Sequence, residues 1–259
     1  MKVSIIIPTY NESAILENTL RTLTAYLDGR FGRDYELLFV DDGSRDGTAD
    51  LTAALISEMA KEAPASAAAD GRILSLGYAG NRGKGAAVRY GMLRARGDVR
   101  IFTDADLAYG CDLLGAFYDA LATHATPANA ADAPLPPAIA IGSRDIHEDG
   151  YRGYTPFRRF VSRTYRALLR GFFGLTVSDS QCGIKGFTAS AAERIFSVAE
   201  TDRYAFDFEL ITLASRAGIP IRELPVCVVN NRKSRIRLLR DSARMLRDLI
   251  ATKRRLGRK

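Results

Sequence analysis

Apolar runs rich in valine and isoleucine alternate with segments of helical periodicity along the first 142 residues of the chain. Short apolar runs predict buried β-strands, and longer segments with apolar residues three or four positions apart predict helices. Their regular alternation predicts an α/β fold, with a mainly parallel sheet and flanking helices. Strands are predicted at 3–8, 35–40, 72–76, 99–103 and 138–142, and helices at 12–27, 47–61, 83–96 and 111–123.

Four polar segments fall at or near the carboxyl ends of these predicted strands. They are PTYNE at 8–12, DDGSRDG at 41–47, NRGKG at 81–85 and DADLAYG at 104–110. Right-handed crossovers bring the carboxyl ends of parallel strands to one edge of the sheet, where ligands bind in folds of this class. The pattern therefore predicts a binding site at that edge.

The segment DADLAYG carries two carboxylates that could share a cation. Asp104 and Asp106 stand two positions apart after an apolar strand, so on an extended chain both project to the same side. Two such carboxylates can hold a hard divalent cation, Mg²⁺ or Mn²⁺. Taken alone, an Asp-x-Asp pair is more often a turn or the start of a helix.

The segments DDGSRDG and NRGKG each allow a functional and a structural interpretation. Asp41 ends a strand, where a carboxylate can accept hydrogen bonds from a base or a ribose, or can belong to a helix-capping turn. Lys84 lies between glycines near the amino terminus of a predicted helix, which suits a diphosphate, although a turn is equally consistent. No Ser or Thr follows the lysine, so this is not a Walker A loop.

The positive charge of the chain lies in its tail. Residues 232–259 contain twelve Lys or Arg and two Asp, a balance of +10, whereas the whole chain carries +7. A basic amphipathic helix is predicted there, with Leu239, Leu246 and Ile250 near one stripe. Residues 157–175 likewise mix apolar side chains with five arginines, which suits an interfacial helix. Both could bind an anionic membrane surface, or pack on the domain or on a second copy in a homo-oligomer.

Composition excludes several other classes of protein. A length of 259 residues with 47% hydrophobic side chains fits one large α/β domain, or one domain with an appended segment. The sequence shows no signal peptide and no run of 18 or more uncharged apolar residues, so we expect a cytoplasmic protein, peripheral at the membrane. The three cysteines are widely spaced without a CxxC pair, which argues against a zinc site or a disulfide framework.

The four edge segments, in this order, resemble glycosyltransferase family 2, whose members have the GT-A fold of nucleotide-diphospho-sugar transferases. Further segments are similar to dolichyl-phosphate β-glucosyltransferases and polyprenyl-phosphate mannose synthases: IGSRD at 141–145, DSQCGIKGFT at 179–188, RYAFDFELI at 203–211 and ELPV at 223–226. The second half of the chain has a less regular pattern, which also predicts short strands at 220–226 and 226–230. The resemblance spans roughly residues 3–250 and implies a GT-A domain at 1–230 followed by the basic helix at 231–259.

The resemblance implies roles on the donor side. Family members take a third metal contact from the loop after the two aspartates, but residues 107–109 offer no obvious oxygen ligand, so a backbone carbonyl or water would serve. The implied nucleoside pocket is Pro8, Tyr10, Glu12 and Asp41, with Lys84 near the diphosphate, and Asp104 and Asp106 holding Mg²⁺ or Mn²⁺ on the donor pyrophosphate.

The resemblance also implies an acceptor cradle. In related mannose synthases an arginine followed four residues later by a serine binds the lipid phosphate, and Arg158 and Ser162 have that spacing. Neighbouring arginines leave the alignment open by one residue, and an ordinary basic helix face is the alternative. The remaining candidates are Ser143 and Arg144 in the cradle, Asp179, Gln181 and Lys185 near the donor sugar or acceptor loop, and Asp207 and Glu209 as orienting groups or buried structural carboxylates.

The implied activity is inverting, metal-dependent transfer of a hexose, glucose from UDP-glucose, to a polyprenyl phosphate. A phosphate monoester has a second pKa of about 6, so it is already ionised near neutrality and needs no general base. The alternatives are a GDP-mannose donor or a hydroxyl acceptor on a glycan. A nucleotidyltransferase would carry a GxGxR loop in place of PTYNE, and a nucleic-acid binder, suggested only by the tail, has no need of the paired aspartates.

Overall fold

The computed structural model describes residues 1–63, 66–122, 138–151, 171, 177–203, 205–229 and 238–257, with the backbone alone for 238–246. These residues contain one seven-stranded sheet in the order β3-β2-β1-β4-β6-β5-β7. Every strand is parallel to its neighbours except β6, which runs antiparallel to β4 and β5. The strands are β1 Val3–Thr9, β2 Tyr35–Asp41, β3 Ile73–Gly77, β4 Val99–Phe102, β5 Ile139–Ser143, β6 Lys185–Thr188 and β7 Ile221–Pro225.

The helices cover both faces of the sheet. One hydrophobic cluster packs α1, α2 and α4 on the first face, and a second packs α3, α5, α6 and α7 on the other. Buried side chains alternate accordingly along β1, where Ile5 and Ile7 belong to the first cluster and Ile6 to the second. The helices are α1 Ser13–Phe31, α2 Thr48–Glu62, α3 Lys84–Met92, α4 Asp112–Ala122, α5 Ala189–Phe196, α6 Phe206–Arg216 and α7 Leu238–Leu256.

The sequence predictions are confirmed for the first 142 residues. Each predicted strand and helix is present, with ends that differ by no more than four residues. The carboxyl ends of β1, β2, β3, β4, β5 and β7 therefore lie along one edge, here called the carboxyl edge. All four polar segments of the first half follow strands that end there.

The second half differs from the prediction in two ways. The antiparallel strand β6 and the helices α5 and α6 were not predicted, and β6 lies between β4 and β5. The predicted strand at 226–230 is wrong for its described part, because residues 226–229 form no strand. That segment instead crosses the carboxyl edge, where the Val226 N–H donates to Ser143 at 3.1 Å and the Val229 N–H donates to Ala108 at 2.8 Å.

The basic helix α7 packs on the domain, and of the three predicted stripe residues only Ile250 can be compared with the structure. Leu249, Thr252 and Leu256 are buried, whereas Ile250 is 42% exposed. Leu239 and Leu246 lie in the part of α7 whose side chains are not described. The end of α7 is also fixed by Arg216, which donates to the Leu256 carbonyl at 2.5 Å. Thus at least one face of α7 packs on the rest of the domain.

None of the helices in the described ranges combines the length and the apolar character required to cross a membrane.

Candidate active site

The first two polar segments are locked together at the carboxyl edge. Asn11 has a positive φ of 55°, which asparagine tolerates better than most residues, and its Oδ1 accepts the Arg45 N–H at 2.9 Å. Asp46 accepts the Ser13 hydroxyl at 2.8 Å and the Thr48 hydroxyl at 2.5 Å. Burial alone would raise the pKa of Asp46, but these hydrogen bonds lower it to about 2. Asp46 therefore joins the amino ends of α1 and α2.

The two aspartates at the end of β2 have different partners. Asp41 accepts the N–H and hydroxyl of Ser44 at 2.9 and 2.5 Å, so its carboxylate closes the turn that follows β2. Asp42 is 3% exposed and accepts the Tyr78 hydroxyl at 2.7 Å and the Gly83 N–H at 2.8 Å. Asp42 therefore anchors NRGKG beside β2, a role that the sequence did not reveal.

The glycines of NRGKG allow another part of the chain to approach closely. A Cβ on Gly83 would lie 2.5 Å from the Asp202 carbonyl oxygen, and one on Gly85 would lie 2.5 Å from that of Thr201. Gly83 also has a φ of 121°, which favours glycine. The segment before α6 thus fixes the amino end of α3, whose first residue is Lys84.

Two ion pairs lie near the carboxyl end of β4. Lys84 Nζ is 2.5 Å from Asp104 Oδ1, and Lys185 Nζ is 2.5 Å from Asp207 Oδ1. Both ammonium groups lie within 6 Å of the Phe102 ring centroid, at 5.9 and 5.6 Å. The side chains of Lys84 and Asp104 are 31% and 36% exposed, whereas Lys185 is fully buried. A ligand can therefore reach the first pair, while the second is part of the interior.

The two pairs influence one another electrostatically. Burial alone would lower the pKa of Lys84, but the Asp104 and Asp207 carboxylates raise it above its ordinary value. Burial raises the pKa of Asp207, and the Lys185 and Lys84 ammonium groups oppose that shift. Lys84 is therefore a cation at neutral pH, and it is shared between two carboxylates.

The DADLAYG loop is a turn held by its surroundings. Thr19 of α1 donates to the Ala105 carbonyl at 2.6 Å, and Asp106 Oδ1 accepts the Ala108 N–H at 3.1 Å. Leu107 has a φ of 50°, which is uncommon for a residue with a side chain and persists only when neighbouring contacts impose it. The structural alternative from the sequence, a turn, is therefore present, and this turn carries both aspartates.

The DSQCGIK segment touches the DADLAYG loop at Gly183. A Cβ at this position would lie 2.1 Å from Asp104 Oδ2, so glycine is what leaves room for that carboxylate. The Gly183 N–H also donates to the Tyr109 hydroxyl at 3.2 Å. Burial raises the pKa of Tyr109 well above its ordinary value, so this hydroxyl stays protonated. Sequence reasoning missed both residues, because each gains significance only when the two segments meet.

The carboxylates of the DADLAYG loop fit a divalent cation. Asp104 and Asp106 are hard oxygen donors of the kind that Mg²⁺ and Mn²⁺ prefer. The Lys84 ammonium already contacts one Asp104 oxygen, in the position of a cation, and the other oxygen packs against Gly183. No group of three or more His, Cys, Asp or Glu within the described residues could hold a metal ion. Further ligands would have to come from the backbone, water or a bound diphosphate.

The IGSRD segment is joined to DSQCGIK by a buried ion pair. Arg144 donates from Nε and Nη2 to the two Asp179 oxygens at 2.6 and 2.9 Å, a bidentate arrangement. Burial would lower the pKa of Arg144, but Asp179 raises it well above the ordinary value. Ser143 is fully buried and its hydroxyl bonds with Ser178. Ser143 and Arg144, candidates for the acceptor cradle, thus also tie two edge segments together.

The other predicted donor and acceptor residues vary in exposure. Tyr10 is 41% exposed and follows β1 beside the end of β2, with Pro8 and Glu12 partly exposed. Gln181 is partly exposed, and its N–H donates to Asp179 at 3.2 Å. Arg158 and Ser162 lie outside the described residues.

Glu209 occupies a structural position away from the two ion pairs. It is 1% exposed, accepts the Thr201 N–H at 2.7 Å, and pairs with Arg255 of α7. The same Thr201 packs on Gly85 beside Lys84. The structural alternative that the sequence left open therefore describes the contacts of Glu209, which link α7 to the amino end of α3.

A cavity of about 510 Å³ lies between α7 and the segment before α6. It is lined by Arg82, Arg203 and Arg255 with Asp202 and Asp248, and by none of the predicted site residues. Its cations and carboxylates are nearly balanced. This cavity therefore contains none of the residues that define the candidate active site around Asp104.

Comparison with known sequences identifies related proteins. The model of glycosyl transferase family 2 matches residues 4–196. A dolichyl-phosphate β-glucosyltransferase of Saccharomyces cerevisiae is 31% identical over 96% of this chain and 73% of its own length. One of Homo sapiens is 31% identical over 87% of this chain and 66% of its own length.

Comparison with solved structures supports the fold. Mannosyl-3-phosphoglycerate synthase of Rubrobacter xylanophilus superposes with a TM-score of 0.64 at 19% identity, covering 99% of this chain and 74% of that one. Glucosyl-3-phosphoglycerate synthase of Mycobacterium tuberculosis, in complex with Mn²⁺, UDP and glucosyl-3-phosphoglycerate, gives a TM-score of 0.59 at 19% identity, covering 97% of this chain and 78% of that one. The mainly parallel sheet with its flanking helices is thus the GT-A fold.

Proposed function

Because this chain belongs to glycosyltransferase family 2, we propose that it transfers a hexose, glucose from UDP-glucose, to a polyprenyl phosphate with inversion at the sugar carbon. Similarity to dolichyl-phosphate β-glucosyltransferases over nearly the whole chain favours glucose as the sugar and a polyprenyl phosphate as the acceptor. The observation that carries the proposal is the meeting of Lys84 and Asp104 at the carboxyl edge, beside the segments expected to bind a nucleoside.

On the donor side, the loops after β1 and β2 would hold the nucleoside. Pro8, Tyr10 and Glu12 follow or end β1, and Asp41 ends the adjacent strand, so a base and a ribose could lie across them. Lys84 begins α3, where the amino-terminal N–H groups and the ammonium favour a diphosphate.

Asp104 and Asp106 would hold Mg²⁺ or Mn²⁺ near that diphosphate. When bound, such a metal supplies Lewis-acid stabilisation of the negative charge on the departing nucleoside diphosphate. A related fold occurs in a transferase whose complex contains Mn²⁺ and UDP, which supports a metal of this kind. The chain's own contribution is to orient the two carboxylates through the DADLAYG turn and Gly183.

On the acceptor side, the chemistry of a phosphate suits the groups near Asp104. Asp207, whose side chain is 13% exposed, is paired with Lys185 and would therefore orient a substrate rather than abstract a proton. A phosphate acceptor is already ionised near neutrality and needs only positioning. Arg144 would contribute positive charge to the phosphate cradle, and we retain Arg158 and Ser162 as its proposed partners.

The basic helix α7 would keep the enzyme at an anionic membrane surface, where a polyprenyl phosphate is found. Its exposed residues include Arg247, Ile250, Lys253 and Arg254, a cationic face with one apolar side chain. Each basic residue near such a surface contributes roughly 1 kcal/mol to binding.

The decisive experiment is a transfer assay with the purified protein, Mn²⁺, a panel of radiolabelled nucleotide sugars and a polyprenyl phosphate. We expect labelled lipid from UDP-glucose. Labelled lipid from GDP-mannose alone would show that GDP-mannose is the donor. Transfer to a glycan hydroxyl instead of the lipid would show that a glycan is the acceptor. A folded protein that labels no acceptor from any donor would refute the proposed function.

A further inference from the structure

Lys84 occupies part of the position that a divalent cation would need. Its Nζ lies 2.5 Å from Asp104 Oδ1, within direct contact distance. The side chains of both residues are about one third exposed, so the pair faces the open site rather than the interior. An ammonium group in direct contact with this oxygen occupies one of its lone pairs and repels a second cation, so it competes with a metal ion for Asp104.

The surroundings hold Lys84 at this position. Contacts of Gly83 and Gly85 with the segment before α6 fix the amino end of α3. The other carboxylate within its influence, Asp207, already has Lys185 as a partner at 2.5 Å. Asp104 is consequently the carboxylate with which Lys84 makes its direct contact.

We propose that Lys84 is a built-in counterion that is exchanged for the divalent cation when the nucleotide binds. Without nucleotide, Lys84 neutralises Asp104 and weakens metal binding. With nucleotide, the diphosphate offers the ammonium another anion at the amino end of α3, which releases the Asp104 oxygen. Because binding couplings are reciprocal, metal would strengthen nucleotide binding as much as nucleotide strengthens metal binding.

This inference rests on the proposed function only for the metal and the diphosphate, and it is tested without sugar transfer. Mn²⁺ alone is titrated into the full chain and free Mn²⁺ is followed by electron paramagnetic resonance. Lys84→Met removes the ammonium but keeps an unbranched apolar stem. We expect it to bind Mn²⁺ about tenfold more tightly than the native chain, within the 5–150-fold range typical of site coupling.

Arg82→Gln is the matched control. Arg82 is a cation of the same segment, but its guanidinium lies 3.3 Å from Asp202 instead of contacting Asp104. We expect Mn²⁺ affinity to change by less than about twofold in this variant, as for a screened charge beyond direct contact. An equal gain in both variants would assign the effect to overall charge and overturn the exchange.

A second titration measures the coupling itself. Saturating UDP should strengthen Mn²⁺ binding to the native chain by a larger factor than in Lys84→Met, in which no counterion remains to be displaced. Unchanged or weaker Mn²⁺ binding in Lys84→Met, or no detectable binding in either, would overturn the proposal, with thermal unfolding confirming that the variant is folded. If Lys84→Met binds Mn²⁺ more tightly but the native chain transfers no sugar, the result would support the exchange and refute the proposed function.

Discussion

Substitution of Gly183 by alanine should disturb the site far more than the fold. The added Cβ would lie 2.1 Å from Asp104 Oδ2 and 3.1 Å from its Cγ. Ordinary contacts begin at 3.4 Å, so the carboxylate oxygen must move by about 1 Å. Misplacing a reacting group by that amount can reduce a rate about 100-fold. Gly183 does not have the positive φ that favours glycine, so the backbone itself accepts alanine.

The cost to stability should be small by comparison. The obstructing atom is the end of a side chain that is 36% exposed and can rotate, so we expect about 1 kcal/mol, the lower end for added volume. Transfer is measured as kcat/KM with Mn²⁺ and the donor, and stability by urea unfolding. We expect a loss of about 100-fold in kcat/KM, with weaker Mn²⁺ binding.

Gly186→Ala provides the control from the same segment. Its Cβ would lie 2.9 Å from Leu121 Cδ1 in the core, so it adds the same methyl group without touching Asp104. This variant should lose stability, by about 1–3 kcal/mol, and keep its rate per folded molecule. Native kcat/KM and native Mn²⁺ affinity in Gly183→Ala would refute the idea that this glycine sets the Asp104 carboxylate.

Three further predictions concern charged side chains. Asp106→Asn should reduce transfer by orders of magnitude with little change in the urea midpoint, and an unimpaired variant would exclude its metal role. Arg255→Gln should destabilise the chain by about 3 kcal/mol in urea unfolding, because the buried Glu209 carboxylate loses its cationic partner, whereas the exposed Arg254→Gln should change stability by less than about 0.5 kcal/mol. The pKa of Asp46 is lowered in the folded chain from 3.8 to about 2, so its carboxylate stabilises the fold above pH 3.8, and this stability is lost as the pH falls toward 2. In Asp46→Asn the free energy of unfolding should therefore depend less on pH between those two values.

The sequence was sufficient for the first half of the fold because its signals are local. Each βαβ unit contains its own apolar strand, its own helix and the polar segment between them, so periodicity identifies all three. The carboxyl edge follows from the handedness of the crossovers, and with it the position of Lys84 and Asp104.

The second half could not be predicted in the same way because its contacts are distant in sequence. Strand β6 has only four residues, begins with Lys185 and includes Gly186, and so has no strand-like pattern. Pairing with β4 and β5 on both sides buries it, and the Lys185 charge is satisfied by a residue 22 positions away. Likewise Leu249 and Ile250 are neighbours in sequence, and only packing on the domain buries the first and exposes the second.

Insertion of β6 also explains how the candidate active site acquires residues from both halves of the chain. Its antiparallel direction makes Lys185, at its amino end, pair with Phe102, at the carboxyl end of β4. The segment that leads into β6 must therefore arrive at the carboxyl edge, which brings Gly183 to Asp104 and Lys185 to Asp207. A parallel strand at this place would deliver its preceding segment to the opposite edge. The direction of one short strand thus decides that the DSQCGIK and DADLAYG segments share a site.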